Sequence, residues 1–595
     1  MIDKTIALKT QQAIEELYSA KTPIEGITIQ KTIPIYKNEG DFTVVVFPFT
    51  MFSHKAPEQT GNEIGEYLKK NISEITSFHV VKGFLNLTID DAYWCRFYQS
   101  ISHEKTFGFI PEENKASVVI EYSSPNTNKP LHLGHIRNNL LGFSIAEILK
   151  ACGRKVIKTT LVNDRGIHIC KSMVAWQKWG QGETPESSDM KGDHLVGKYY
   201  VLFDKHYKDE IKAFVKLGMK EEEAAKQVPL VMEARDMLRK WEAKDKEVIK
   251  VWKMMNGWVY KGFDETYQKL GINFDKTIFE SDTYLLGKQL VEEGLKNKIL
   301  IQKADKSIWI DLTAEGLDEK ILLRADGTSV YITQDLGTAK LRQDEYNPEK
   351  LIYVVGNEQN YHFDVLKLIL KKLGYEWSDK IYHLSYGMVE LPEGKMKSRE
   401  GTVVDADELM DEMFDTARQM TEELGKIEDF NSKEAEDLYR KVSLGALKYF
   451  MLKVDPAKNM MFNPKESIDF NGNTGPFVQY TYARVQSMIR KSGFKESDKN
   501  TFAEINLHPK EKEIIKLLYD FPETIRLAGE KYSPAFIANY AYELAKEFNQ
   551  YYHEVPIIKE TDKNLSAFRI ELAYFTGQIL KNAFALLGIE MPDKM

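Results

Sequence analysis

Val118-Val119-Ile120 leads shortly into Pro130-Leu131-His132-Leu133-Gly134-His135. An apolar, β-branched run followed by a helix start that carries glycine reads as the opening of a β-α unit. A helix N-terminus offers free N–H groups and the positive end of a dipole to an anion. Gly134 has no Cβ, so a ligand can come close to the backbone there. His132 and His135 stand three apart in the first turn and can reach the same group. As cations or as hydrogen-bond donors they would stabilise charge growing on a phosphorus centre. The stretch is therefore a candidate nucleotide-phosphate site. Metal ligation by the two imidazoles, or two unrelated surface histidines, are the alternatives.

Working outward, the helix should continue from Leu133 to about Ala151, with Gly153 ending it and a new strand over Lys155 to Val162. A β-α-β unit implies a parallel sheet with a right-handed crossover. The sheet is expected to resume near Val330-Tyr331-Ile332 and at Leu351 to Val355, the latter followed by a helix over Phe363–Leu373. Between these, Lys171 to Thr277 is helical and strongly charged, as in Lys220-Glu221-Glu222-Glu223, and residues 278–325 hold short strands and helices. Upstream, residues 8–20 have helical periodicity, Phe42 to Phe49 and Phe78 to Ile89 read as strands, and Gly61 to Asn71 as a helix between them. A polar stretch over 102–115, with Gly108 and Pro111, reads as a linker. From about Lys453 the chain turns all-helical. The expected fold is multidomain. It has an N-terminal α+β module (1–112), a central Rossmann-like α/β domain (113–454) with a helical insertion over about 171–320, and a C-terminal all-α bundle (455–595).

Composition agrees with that frame. A chain of 595 residues is too long for one hydrophobic core. Its 43% hydrophobic and 29% charged residues are ordinary for a globular enzyme. No apolar run reaches the length of a membrane span, and Met1-Ile2-Asp3-Lys4 opens no signal peptide. Cys95, Cys152 and Cys170 form neither a CxxC pair nor a zinc-type cluster, which fits reduced thiols and a cytoplasmic setting. A net charge of −8 argues against a purely electrostatic nucleic-acid coat and leaves room for local basic surfaces.

A second phosphate signal follows at Gly394-Lys395-Met396-Lys397-Ser398-Arg399-Glu400-Gly401-Thr402. Two lysines, an arginine, a serine and flanking glycines make a cationic loop that could close over a polyphosphate and neutralise a leaving pyrophosphate. Taken alone, such a cluster is more often solvated surface. Downstream, Phe477, Tyr480 and Arg484 fall on one helix face, where aromatics interleaved with a guanidinium can stack unpaired bases. A helix-packing stripe is the other reading.

The HLGH stretch and this loop resemble the two signatures of class I aminoacyl-tRNA synthetases. The run from Glu121 through Tyr122-Ser123-Ser124-Pro125-Asn126-Thr127-Asn128-Lys129 to His135 is similar to arginyl-tRNA synthetases across its whole length. Tyr331-Ile332-Thr333-Gln334-Asp335, Gln359 to Phe363 and Leu587-Gly588-Ile589-Glu590 are similar too. The resemblance covers the chain nearly end to end. It implies ATP-dependent ligation of L-arginine to tRNA(Arg) through an arginyl-adenylate, with transfer to the 2′ hydroxyl of the terminal adenosine. It also implies Mg²⁺ entering with ATP, no dedicated metal ligands, an anticodon-binding helical bundle and an N-terminal module that contacts the tRNA elbow. It further implies that arginine activation needs bound tRNA. A monomer is the expected state.

An arginine substrate carries a planar, permanent cation with five donors, so its pocket needs carboxylates and hydroxyls in bidentate reach. Glu121 at the end of the first strand and Asp335 after a later one would face the same crevice. The resemblance assigns the guanidinium to Asp335 and Tyr331, with Glu121 a further candidate, and the α-amino and carboxylate groups to Asn126 and Gln359. His132, His135 and Lys129 are the expected catalytic residues, and Gly134 with Lys395, Met396, Lys397, Ser398 and Arg399 the ATP contacts. Alternatively, Asp335 caps a helix, Tyr331 is core, and Glu121 is an exposed charge. The chain departs from the family pattern twice. Ser398 stands where the second lysine of KMSKS falls, and Lys129, just before the HxGH motif, is the expected substitute. Asn163-Asp164-Arg165-Gly166-Ile167-His168 replaces an Asp-Trp-Gly-x-Gln pattern, so no role is carried over to Arg165 or His168.

Two rivals stand beside this reading: a small-molecule nucleotidyltransferase, and a catalytically silent RNA-binding protein. The long helical tail counts against the first. The intact HLGH, Lys129 and Asp335 count against the second.

Overall fold

A computed structural model describes residues 2–32, 40–112, 116–391, 404–423, 425, 430–495 and 505–595. The chain folds as two compact units. One comprises Met1–Phe107, Met488–Asp520 and Glu547–Thr576, the other Gly108–Ser487, Phe521–Lys546 and Gly577–Met595.

In the first unit, α1 (Ile2–Tyr18) buries Ile2, Ile6, Ala13 and Ile14, a stripe at helical spacing. An antiparallel sheet has the order β1 (Ile29–Lys31), β2 (Phe42–Val45), β4 (Phe84–Ile89), β3 (Ile75–Val81), with α2 (Pro57–Asn71) packed on β3. The strand expected over Phe42 to Phe49 stops at Val45, and Phe47–Phe49 is a short 3₁₀ turn, because Pro48 has no N–H for the ladder. The run Phe78 to Ile89 is a hairpin. Lys82 (φ +47) and Gly83 (φ +75) turn it left-handedly, as a two-residue hairpin loop requires. Helix α3 (Asp91–Ile101) follows, and its Trp94 packs edge-on against Tyr519 of the same unit.

The second unit is built on a five-stranded, all-parallel sheet. Its order is β12 (Ile381–Tyr386), β11 (Lys350–Gly356), β5 (Val118–Glu121), β6 (Val156–Val162), β7 (Lys276–Phe279). All four residues of β5 are buried, as expected of a parallel strand covered on both faces. Helix α4 (Leu133–Ala151) makes the β5–β6 crossover, and Gly153 leaves it at φ +78. Four long helices, α5 (Ile167–Trp179), α6 (Gly192–Lys216), α7 (Pro229–Glu242) and α8 (Lys246–Leu270), and two short ones (Pro185–Ser188 and Glu221–Gln227) lie between β6 and β7. The stretch expected as one insertion over about 171–320 is thus interrupted by a strand of the main sheet. β7 is short and polar at its start, and so has no apolar run to announce it.

Helix α9 (Leu286–Lys296) precedes an antiparallel meander of β8 (Ile301–Gln302), β9 (Ile308–Ile310) and β10 (Lys320–Leu323). Val330-Tyr331-Ile332, expected as a strand, instead opens helix α10 (Tyr331–Tyr346). Local β-propensity loses there to packing. Ile332, Leu336 and Ala339 are buried at helical spacing, and a Cβ added at Gly337 would lie 2.5 Å from the Gly287 nitrogen, so α9 and α10 meet backbone to backbone. Helix α11 (Asn360–Lys372) joins β11 to β12. Beyond the sheet, α12 (Ala406–Glu423) and α13 (Ser432–Leu452) pack together. After a two-residue strand, Met460–Met461, paired with Val389–Glu390, the long elements are helices: α14 (Gly475–Ser492), α15 (Pro509–Glu530), α16 (Ala535–Glu554) and α17 (Lys563–Leu586). Cys95, Cys152 and Cys170 are all free. Among the described residues no helix is long and apolar enough to cross a membrane.

Candidate functional site

Helix α4 starts at its own histidines. His132 is the N-cap: the Gly134 N–H donates to His132 Nδ1 at 3.2 Å. The His132 N–H donates in turn to His135 Nδ1 at 3.1 Å, closing a reciprocal capping box built from imidazoles. The rings lie 3.9 Å apart, centroid to centroid. Gly134 is needed for this fold-back, since a Cβ there would lie 3.1 Å from His132 Cε1.

This geometry corrects the opening premise. The Leu133 N–H donates to Val404 O at 2.9 Å, and those of His135 and Ile136 donate to His132 O at 2.7 and 3.1 Å. With Gly134 engaged as well, no backbone N–H from Leu133 to Ile136 is left for a ligand. What remains is the far side of each ring. A ring nitrogen that accepts a hydrogen bond carries no proton, so each neutral imidazole holds its proton on Nε2 and offers it outward. Burial keeps both rings neutral, with the positive charge of Lys129 assisting. His132 is pushed down to about 4, and His135 lies well below the usual histidine range. Neutral rings can act as hydrogen-bond donors and not as cations. Lys129 is half-buried, and burial lowers its ammonium from the usual lysine range.

The strand ends carry the acids. Glu121 closes β5, is buried, and forms an ion pair with Arg342 of α10; Ser124 Oγ donates to it at 3.1 Å. Burial raises the Glu121 carboxyl, and the Arg342 guanidinium opposes that rise. Arg342 is fully buried and also donates to the Tyr353 hydroxyl at 3.2 Å. Asp335, in the second turn of α10, accepts from His362 Nε2 of α11 at 2.6 Å. Glu280 follows β7 directly, and Gln334 Nε2 donates to it at 2.8 Å. Burial pushes its carboxyl up to about 7, although Arg165 Nη1, at 3.8 Å, favours the ionised form. The charge of Asp335 reaches both Glu121 and Glu280. Three carboxylates thus gather at the C-terminal edge of a parallel sheet, where open α/β folds bind ligands.

The connection out of β5 is held in a costly shape. Ser123 and Ser124 are consecutive left-handed residues (φ +80 and +46). Such residues cost about 1–3 kcal/mol each and persist only where their surroundings fix them. Here the Ser123 N–H donates to Asn138 Oδ1 at 2.6 Å, and its hydroxyl lies 2.7 Å from the Tyr267 hydroxyl.

Residues 98–464 match the family described as tRNA synthetases class I (R), catalytic domain, and residues 478–595 match the DALR anticodon binding domain. An arginine–tRNA ligase of Bacteroides fragilis is 56% identical over 597 residues, covering 100% of both chains. One of Flavobacterium psychrophilum is 53% identical over 98% of each. The chain belongs to the class I arginyl-tRNA synthetases. Arginyl-tRNA synthetase structures from Thermus thermophilus (TM-score 0.78, 24% identity, all of both chains covered) and Plasmodium falciparum (TM-score 0.76, 19% identity, 100% and 99% covered) share its fold.

Within this arginyl-tRNA synthetase fold the remaining expected residues are spread unevenly. Asn126 and Gln359 are exposed beside strand ends, Asn126 in a bridge to Asn163 and Gln359 just past β11. Tyr331 is the first residue of α10 and 77% exposed, which excludes the core reading. Asp335 lies inside its helix and not at a strand end or an N-cap, and buried Glu121 is no surface charge. Lys395, Met396, Lys397, Ser398 and Arg399 lie outside the described residues. Phe477, Tyr480 and Arg484 share the less buried face of α14. Phe477 packs against Tyr542 at 5.5 Å, and the Arg484 guanidinium lies 5.0 Å from the Tyr480 ring.

Glu280, Arg342 and His362 were not expected from sequence. The only local trace of Glu280 is that, like Glu121, it follows two apolar residues, Ile278-Phe279, a run too short to mark a strand. The departure at Asn163–His168 also has a structural account. The Arg165 guanidinium lies 5.3 Å from the Trp241 ring centre and 4.2 Å from that of Tyr284, so it is held by aromatic rings. Asp164 is buried and accepts from the Ser281 N–H (2.8 Å), its hydroxyl (2.7 Å) and the Tyr260 hydroxyl (2.8 Å), tying the ends of β6 and β7 together.

Proposed function

We infer that this chain ligates L-arginine to tRNA(Arg) through an arginyl-adenylate, with ATP as the second substrate. The observation that carries the reading is the pairing of two sites on one sheet edge: outward Nε2–H donors beside an ammonium, and clustered carboxylates. The first suits a triphosphate and the second a guanidinium. Asp335, with Tyr331, Glu280 and Glu121 around it, holds the side chain of arginine, while Asn126 and Gln359 orient its α-amino and carboxylate groups. The arginine carboxylate then attacks the α-phosphate and pyrophosphate leaves. His132 and His135 donate to phosphate oxygens as charge shifts onto them, and Lys129 neutralises part of the polyphosphate. Preorganised, buried donors do this without reorganising in the reaction.

Mg²⁺ enters as part of the ATP complex. The phosphate end offers N–H donors and an ammonium, which are no ligands for a cation, and the nearby carboxylates are engaged with Arg342, His362 and Gln334. Residues 395–399 close the ATP contacts, Gly134 lets the ring of His132 fold back, and Phe477, Tyr480 and Arg484 meet anticodon bases. Residues 1–112 act as the module for the tRNA elbow, 113–454 as the catalytic domain, and 455–595 as the anticodon-binding domain. Three free cysteines fit a reducing cytoplasm, and we take the working form to be a monomer.

Aminoacylation of total tRNA with each of the twenty amino acids, in the presence of ATP, tests the assignment. Arginine alone should be transferred. Transfer of another amino acid, or of none, would overturn it.

A further inference from the structure

A charge network on the opposite side of the histidines has no place in the chemistry above. Segment Val404–Ala406 lies as a short antiparallel partner along the HLGH motif. The Leu133 N–H donates to Val404 O (2.9 Å), the Ala406 N–H donates to Leu131 O (3.0 Å), and His132 and Asp405 form the bridge between them. Asp405 caps α12 by accepting from the Asp407 and Glu408 N–H groups at 2.8 and 3.1 Å.

Asp407 then anchors this turn to the helical insertion. Its carboxylate takes Lys191 Nζ at 2.6 Å, His194 Nε2 at 3.2 Å, the Thr266 hydroxyl at 3.3 Å and Lys269 Nζ at 3.7 Å. Asp405 Oδ2 lies 3.5 Å from His194 Nε2, and buried Asp193 shares Lys191 at 3.2 Å. Asp193, His194 and Asp407 would otherwise resemble a metal site. The ammonium of Lys191, bonded to both carboxylates, supplies that positive charge from the chain itself.

We propose that Asp407 is a positioning residue for adenylate formation: held by Lys191, His194, Thr266 and Lys269, it fixes Val404–Ala406 against Leu131–Leu133 and so sets where His132 and His135 aim their Nε2–H donors. The proposal rests on the donor role given to those histidines above. Burial favours a protonated Asp407, but its bonds to His194 and Lys191 outweigh that and hold it well below the usual carboxylate range. Burial lowers the His194 imidazole, but the Asp407 bond together with the charges of Asp405 and Asp193 outweighs it and raises the group. The anchor is therefore an ionic one, and removing its charge while keeping its shape should loosen it.

The test is a double-mutant cycle on the full chain, read by pyrophosphate exchange with tRNA, ATP and arginine present. Asp407→Asn should lower kcat by about 10- to 100-fold, the scale for misplacing a reacting group by about an ångström. The KM for arginine should stay within about twofold, because the guanidinium pocket stands on other elements. In a His135→Ala background, the same substitution should cost less, since one of the two rings it acts through is already gone. A general structural defect would not move this coupling; it would multiply in full. An unchanged kcat in Asp407→Asn, or full multiplication with His135→Ala, overturns the proposal. Near wild-type turnover in His135→Ala alone removes the donor reading beneath it, and the proposal falls with it. If Asp407→Asn does not fold, Lys191→Met and His194→Gln, each removing one strut, enter the same cycle with the same two outcomes.

Discussion

The two ends of this site are made in opposite ways. The phosphate end is local: His132 and His135 are three residues apart, cap each other's backbone, and need one glycine between them. Its rings are uncharged. The arginine end is assembled from β5, the residue after β7, α10 and α11, with each acid held by a partner from a different element. The difference follows from the ligands. A phosphate in flight is met by fixed dipoles, which two neighbouring rings can supply. A permanent cation on a long side chain needs charge from several directions.

The largest effect should come from the assembled end. Asp335→Asn keeps the shape and removes a charge facing the guanidinium; losing one partner of such a pair costs about 2–5 kcal/mol. The kcat/KM for arginine should drop on the order of 10²-fold or more while ATP binding survives. A tenfold or smaller drop would put the recognition charge elsewhere, with Glu280 next in line.

His135→Ala should reduce aminoacylation about 10²-fold, the scale for one preorganised donor, with the KM for arginine little changed. Both rings stay neutral well below pH 6.5, so kcat should show no acid limb at the usual histidine pKa and should fail only toward the value of about 4 that burial imposes on His132. A limb at 6.5 in a pH–rate profile would mean that a cationic imidazole does the work.

Lys129→Ala should damage turnover or the KM for ATP more than Lys397→Ala does, if the fixed ammonium stands in for the lysine absent at Ser398. Equal small losses in the two variants would break that idea and detach Lys129 from the phosphate end.

The smallest effect sharpens the acid end. Burial raises Glu280 above its unfolded value, to about 7. Its contribution to the stability of the empty protein is therefore full below about pH 4.5, where the unfolded carboxyl titrates, and is lost as pH rises through about 7. Arginine favours the ionised form, so the KM for arginine should fall between pH 6 and 8, by less than about tenfold if one carboxylate is half-titrated there. Glu280→Gln should flatten that slope, and an unchanged slope would assign it to another group.

The contrast also explains what could be read in advance. The β-α-β unit, the span of α4 and the histidines at its start follow from contiguous residues, and sequence carries them in full. Glu121 and Asp335 stand out as acids in a characteristic run, yet their partners Arg342 and His362 lie on elements whose register no local pattern sets. Tyr331 misleads because Val330-Tyr331-Ile332 has strand propensity, while the buried positions at 332, 336 and 339 keep helical period over a longer window. β7 hides because an edge strand of four residues with two polar starts has almost no pattern. The free N-terminus assumed for α4 is filled by a distant segment at Val404, which nothing near residue 133 announces.

The pocket proposed for a guanidinium already contains two guanidinium groups of its own. Arg342 neutralises Glu121 and Arg165 stands by Glu280, while His362 holds Asp335. A newly made chain must close this region before any arginine arrives, and three bare carboxylates would push the sheet edge apart. With these partners in place, the acids of the unliganded site are already engaged within the chain. The incoming amino acid then displaces little and organises nothing on that side. Competition for the site should accordingly be decided by how well a ligand fits a pre-set charge pattern, and free guanidinium-bearing metabolites that match the pattern only at one end are the molecules it has to turn away.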